Sequence, residues 1–131
     1  MSGVELMGSE GTPAYATTDA TTGAVTLGGD ENNYNIKWDG ETLTLQNATI
    51  KEAEEYPGKS DEKIAVYLAS GNMNLVLVGK NTVDALGEGS AASCGINLGG
   101  GSLTISGQEN ASLTVFGGDT TNTTNSNSCG I

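Results

Sequence analysis

The chain has 131 residues, of which 36% are hydrophobic and only 5% aromatic, and a formal net charge of −11 carried against five lysines with no arginine and no histidine. That charge repels nucleic-acid phosphates and anionic membrane surfaces. Without Arg or His the chain also lacks the usual phosphate fork, the usual general base and the commonest transition-metal ligand.

The first 38 residues are the least regular. Met1 to Glu5 lacks the basic and apolar regions of a signal peptide, and no apolar run in the chain reaches the roughly 20 residues needed to insert across a membrane. Ala24–Leu27 and Tyr34–Trp38 read as strands. Residues 1–38 are therefore expected to form an N-terminal capping segment, with Met7, Tyr15, Val25 and Leu27 covering the core.

From residue 39 a repeat with a period of roughly 30 residues takes over. Gly40-Glu41-Thr42-Leu43-Thr44-Leu45 returns as Asn72-Met73-Asn74-Leu75-Val76-Leu77 and again as Gly101-Ser102-Leu103-Thr104-Ile105, while Ser93-Cys94-Gly95-Ile96 returns as Ser128-Cys129-Gly130-Ile131. Each unit alternates apolar and polar residues with period two, the pattern of a half-buried strand. Three columns follow. Ile64, Val66 and Leu68 lie over Cys94, Ile96 and Leu98, with Cys129 and Ile131 next. Leu43 and Leu45 lie over Leu75 and Leu77, then over Leu103 and Ile105. Ala48 and Ile50 lie over Asn81 and Val83, then over Leu113 and Val115. Three short strands per period predict an all-β chain folded as a right-handed, single-stranded parallel β-helix (a β-solenoid) of about three coils over residues 39–131. Insertions are assigned to loops at Lys51–Lys63, with one helical turn near Glu52–Glu55, at Asp84–Ala92 and at Asp119–Asn127. Because Ile131 falls just inside a new row, the helix is expected to be truncated at its C-terminal end and to self-associate through the open coil.

The run from Tyr34 through Lys37, Trp38, Leu43 and Leu45 to Ile50, with Leu75–Val83 and Gly101–Gly107, resembles β-helix repeat surface proteins of gut Firmicutes, described as carbohydrate-binding-domain-containing or adhesin-like. The resemblance covers roughly residues 30–131 and rests on core and turn positions. It implies an extracellular or cell-surface location and a glycan or host-surface ligand, and it carries over no catalytic residue.

The chemistry-bearing residues are few. The acidic groups Asp30-Glu31, Asp39 with Glu41, Glu52 with Glu54-Glu55, and Asp61-Glu62 read either as a solvated acidic face or as calcium ligands, though no Asp-x-Asp-x-Asp-Gly loop is present. Cys94 and Cys129 stack in one column. Parallel stacked side chains seldom point correctly for a bridge, so a buried thiol pair is expected, with a disulfide as the alternative. Tyr34 and Trp38 fall on the inward phase. Tyr67 and Tyr56 are the expected sugar-stacking residues. Outward Thr44, Thr104 and Thr114 do not form the regular ranks of an ice-binding face. The reading that follows is a non-catalytic surface module, carbohydrate-binding or adhesive. The alternatives are a structural spacer and a fragment of a β-helix polysaccharide lyase or hydrolase, which would need a base and a cation that only lysine could offer here.

Overall fold

The computed structural model describes residues 4–51, 54–56, 59–68, 71–85, 92–118 and 127–131. Among them are thirteen strands: β1 (Ala14–Thr18), β2 (Val25–Leu27), β3 (Ile36–Trp38), β4 (Thr42–Gln46), β5 (Thr49–Ile50), β6 (Glu54–Tyr56), β7 (Lys59–Leu68), β8 (Met73–Val78), β9 (Lys80–Asp84), β10 (Ala92–Leu98), β11 (Leu103–Gly107), β12 (Ser112–Phe116) and β13 (Asn127–Cys129). They form a six-stranded sheet in the order β11-β8-β4-β3-β1-β2, a four-stranded sheet β13-β10-β7-β6, and a three-stranded sheet β12-β9-β5.

The expected single-stranded parallel β-helix, or β-solenoid, is not the fold. The sheets are open, and two of the three mix parallel with antiparallel pairs. β1 pairs antiparallel with both β2 and β3, β3 pairs antiparallel with β4, and β6 pairs antiparallel with β7. The connections decide this. A short turn can return the chain only antiparallel, whereas a parallel partner needs a crossover of a dozen or more residues. The N-terminal strands are joined by short turns and carry no repeat, so they cannot add further parallel rows.

The columns nevertheless form as parallel pairs. Ile64 lies opposite Cys94 and Cys94 opposite Cys129, Val66 opposite Ile96, and Leu68 opposite Leu98. Leu43 and Leu45 lie opposite Leu75 and Leu77, Ile50 opposite Val83, and Val83 opposite Val115. One register differs from expectation by two residues. Leu103 faces Met73 and Ile105 faces Leu75, which puts Gly107 beside Leu77. Met73 is as buried as its leucine neighbours, so the alternating apolar run starts one pair earlier than the leucines alone suggest.

Burial follows the alternation. Met73, Leu75 and Leu77 are buried while Asn74, Val76 and Val78 are only half-buried. A single core takes side chains from all three sheets, among them Leu43, Leu45, Ile50, Val66, Leu75, Val83 and Ile96. Each fully buried aliphatic residue contributes about 1.5–3 kcal/mol over its exposed state.

The corners between sheets repeat as well. Gly40, Gly71 and Gly101 precede β4, β8 and β11 with φ of 98°, 99° and 113°; Asn47, Gly79 and Asn110 follow the same strands with φ of 47°, 68° and 64°. This left-handed region suits Gly and Asn. At Gly79 the space is also taken, because a Cβ would collide with Asn47 Oδ1. Buried Asn81 ties the rows of the three-stranded sheet together. Its Oδ1 accepts the Ala48 N–H at 2.8 Å, and its Nδ2 donates to the carbonyls of Val78 at 3.1 Å and Ser112 at 3.3 Å.

Other expectations change too. Residues 54–56 and 59–63 are strand where a loop with a helical turn was expected, because β6 folds back on the first half of β7; residues 52–53 lie outside the described residues. Most of the other two expected loops, residues 86–91 and 119–126, also lie outside them. The residues expected to cap the core divide. Val25 packs on it, but Met7 is 83% and Leu27 57% exposed, and the phase of β1 turns Ala16 inward and Tyr15 outward. Ala16, Ile36, Leu6 and Trp38 take that place.

Candidate functional site

Among the described residues, a grouping of polar and aromatic side chains lies on the outer face of the antiparallel half of the six-stranded sheet. β1 and β3 bring it together, since Tyr15 sits directly opposite Lys37 in the register. The bend at Asn35, ahead of β3, turns Tyr34 out of the strand phase, and its ring lies against that of Tyr15 with centroids 5.6 Å apart and planes tilted by 54°. Glu31 arrives from the turn before β3. Its carboxylate accepts the Tyr15 hydroxyl at 2.6 Å and the Lys37 ammonium at 2.8 and 3.0 Å. The Lys37 Nζ lies 5.9 Å from the Tyr15 ring centroid, within cation–π range.

The electrostatics hold each group in its resting state. Hydrogen bonds from Lys37 and then Tyr15 lower the Glu31 pKa. The bond to Glu31 raises that of Lys37, and the same carboxylate raises that of Tyr15. At neutral pH the trio is a carboxylate, an ammonium and a phenol, none poised to give up or take a proton. It can fix ring positions and offer hydrogen bonds.

From Tyr15 the outer face continues across five strands. Tyr15 lies opposite Lys37, Lys37 opposite Thr44, Thr44 opposite Val76, and Val76 opposite Ser106. At the usual strand spacing this row spans roughly 19 Å. A second row runs beside it through Thr42, Asn74 and Thr104.

Comparison with protein families, with curated proteins and with solved structures finds no match. The site therefore rests on its own geometry.

The expected sugar contacts are elsewhere. Tyr67 lies on β7 opposite Asn97, in the four-stranded sheet, and is half-buried. Tyr56 is in β6, and its side chain lies outside the described residues. The two do not join the Tyr15–Tyr34 pair. Tyr34, assigned to the inward phase, faces outward with Tyr15, whereas Trp38 does pack on the core. Phe116, half-exposed opposite Asp84, is an outer aromatic the sequence reading did not single out.

Three aspartates shape turns. Asp19 Oδ1 accepts the N–H groups of Thr21 and Thr22, Asp30 Oδ1 that of Asn32, and Asp39 Oδ1 those of Glu41 and Thr42. These contacts lower the Asp19 pKa, chiefly through Thr22, and that of Asp39, chiefly through Thr42. Among the described residues no three His, Cys, Asp or Glu side chains gather into a metal-holding group. The pattern Asp-x-x-Thr at residues 19–22 and 39–42 is the local signal that could have been read as turn-forming. Glu52 and the side chains of Glu54, Glu55, Asp61 and Glu62 lie outside the described residues.

The two cysteines are joined. Cys94 and Cys129 form a disulfide between directly opposed positions of β10 and β13, with Cα atoms 4.6 Å apart. The expected thiol pair gives way to the alternative, because direct register pairing brings these Cα atoms within bridging distance.

Proposed function

We propose that this chain is a non-catalytic, extracellular or cell-surface binding module whose outer six-stranded face takes an extended, uncharged glycan. The observation that carries the reading is the Tyr15–Tyr34 pair held by Glu31 and Lys37 at one end of a polar strand row. Aromatic faces supply apolar contact to sugar rings, and a fixed carboxylate and ammonium supply oriented hydrogen bonds to hydroxyls. The row of Thr44, Val76 and Ser106 would extend the contact along the chain of sugars. The disulfide supports an oxidising compartment, where such bonds form and persist. The resemblance to surface proteins of gut Firmicutes points the same way.

A glycan array probed with the purified chain, in calcium and again in chelator, tests this. Binding to one glycan class that is lost in Tyr15→Ala and Tyr34→Ala, and kept in Tyr67→Ala, is the expected result. Binding that survives both of the first two changes moves the site to another face. Silence from a folded chain in both conditions overturns the binding reading in favour of a structural spacer.

A further inference from the structure

Strand phase does not account for the outward turn of Tyr34. The register of β1 with β3 sets Ala14 opposite Trp38 and Ala16 opposite Ile36. Continued by one more pair, it would set Thr18 opposite Tyr34 and the Tyr34 ring on the core side. The ladder stops short of that pair. Asp19 N–H donates to the Ala24 carbonyl and Gly28 N–H to the Tyr15 carbonyl, so the odd-numbered residues of β1 turn their backbone groups to β2. The even-numbered ones turn toward β3. Thr18 N–H therefore points where the Tyr34 carbonyl would lie, yet its acceptor is a side chain: Asn35 Oδ1, at 2.9 Å.

The other end of the same amide reaches the next strand. Asn35 Nδ2 donates to the Gln46 carbonyl, at the end of β4, at 3.0 Å. The Asn35 backbone runs the same way: its N–H donates to the Ala16 carbonyl at 3.0 Å, and its carbonyl accepts the Gln46 N–H at 2.8 Å. Backbone and side chain thus both tie Asn35 to β1 and to β4. The Tyr34 carbonyl, relieved of Thr18, accepts the Gln46 side-chain amide at 3.5 Å. A planar amide carries one acceptor and one donor group, which is what the gap between a Thr18 N–H and a Gln46 carbonyl requires. A carboxylate would set an acceptor against that carbonyl, and an aliphatic side chain would satisfy neither group.

We infer that Asn35 is the positioning residue of the aromatic pair. It takes the Thr18 N–H in place of the Tyr34 carbonyl and braces against β4, which ends the ladder one pair early and holds Tyr34 outward against Tyr15. It acts through Tyr34 and not on a ligand. Because Glu31 lies on the same short stretch of chain leading into Asn35, the strut also sets where the carboxylate meets the Tyr15 hydroxyl. That this placement serves binding rests on the reading of the outer face as a ligand site; the placement itself can be read with no ligand present.

Asn35→Ala, compared with the wild type and with Asn81→Ala, is the test. Asn81 is also an amide that joins backbone groups of neighbouring strands, so its loss weakens the fold without touching the pair. Asn35→Ala should lose near-ultraviolet circular dichroism from the tyrosine pair. Its tyrosinate absorbance should rise at lower pH, as the bond from Tyr15 to Glu31 loosens. Its affinity for a glycan bound by the wild type on the array should fall more than about tenfold. Asn81→Ala should keep all three readings. Hydrogen exchange on the wild-type chain supplies a reading free of variants: the Thr18 amide should exchange as slowly as the Gln46 amide within the sheet. Tyrosine signals unchanged in Asn35→Ala, the same changes in Asn81→Ala, or a Thr18 amide that exchanges freely overturns the inference. Tyrosine changes as expected in a chain that binds no glycan support the strut and overturn the binding reading instead.

Discussion

The two halves of the six-stranded sheet solve the problem of turning the chain in different ways. In the antiparallel half, the turns after β1, β2 and β3 are each organised by an aspartate whose carboxylate accepts backbone N–H groups: Asp19, Asp30 and Asp39. In the parallel half, the corners are positive-φ Gly and Asn residues that stack row upon row, as Asn47 does beneath Gly79. A tight antiparallel turn points outward, where a carboxylate can stay solvated while it caps N–H groups. At two of the corners the row below takes the space of a side chain: a Cβ at Gly79 would meet Asn47 and one at Gly101 the Gly71 carbonyl. Within this sheet the acidic side chains therefore gather in the turns of the antiparallel half, while β8 and β11 of the parallel half carry no charged residue.

Substitutions can separate these two designs. The largest effect is expected within the parallel rows. Leu75 is fully buried between Leu43 and Ile105, so Leu75→Ala should cost about 3–5 kcal/mol in urea unfolding, against about 1 kcal/mol for Ile105→Ala in the same column. If the two costs were equal, the edge position of β11 would be wrong. Next is the disulfide. Cys94 and Cys129 are 35 residues apart in sequence, and replacing both by Ser should lower stability by about 3 kcal/mol, read as a drop in the thermal midpoint that a reducing agent reproduces in the wild type.

Asn81→Ala should cost about 1–3 kcal/mol, because it leaves the buried Ala48 N–H without its acceptor. The same change at exposed Asn110 should cost about 1 kcal/mol, the penalty for Ala at a φ of 64°, with no loss of a buried acceptor. In the antiparallel half the effects are smaller and depend on pH. The folded-state pKa of Asp39 is lowered, so its contribution is fully present above the ordinary carboxylate pKa near about 3.9 and is lost as pH falls through the folded value. Acid unfolding of Asp39→Asn should accordingly lose part of the wild type's pH dependence in that range. The smallest change is spectroscopic. Glu31→Gln should bring the Tyr15 phenol back toward its ordinary ionisation, seen as an earlier rise in tyrosinate absorbance, with little effect on unfolding.

The candidate site was less legible than the core. Tyr15 lies in a separate stretch of sequence from Glu31, Tyr34 and Lys37, and the period-two pattern of the strands does not link them. They meet because β1 and β3 pair in a register that sets Tyr15 opposite Lys37, and because the chain bends at Asn35. Strand phase puts Tyr67 on an outer face but does not say what else shares that face.

The alternation of aliphatic residues and their recurrence about every 30 positions were enough, alone, to pair Val66 with Ile96, Leu43 with Leu75, and Val83 with Val115, since burying one face of each strand leaves few registers open. Tertiary structure decided the rest. Antiparallel pairing around β1 and β6 made two of the three sheets mixed, because chain reversal depends on connection geometry that a hydrophobic pattern does not encode. It set Leu103 opposite Met73, because which apolar residue begins a buried run depends on the neighbour it packs against. It also joined Cys94 to Cys129, because a covalent bond between two side chains requires a distance, and distance exists only once the strands lie side by side.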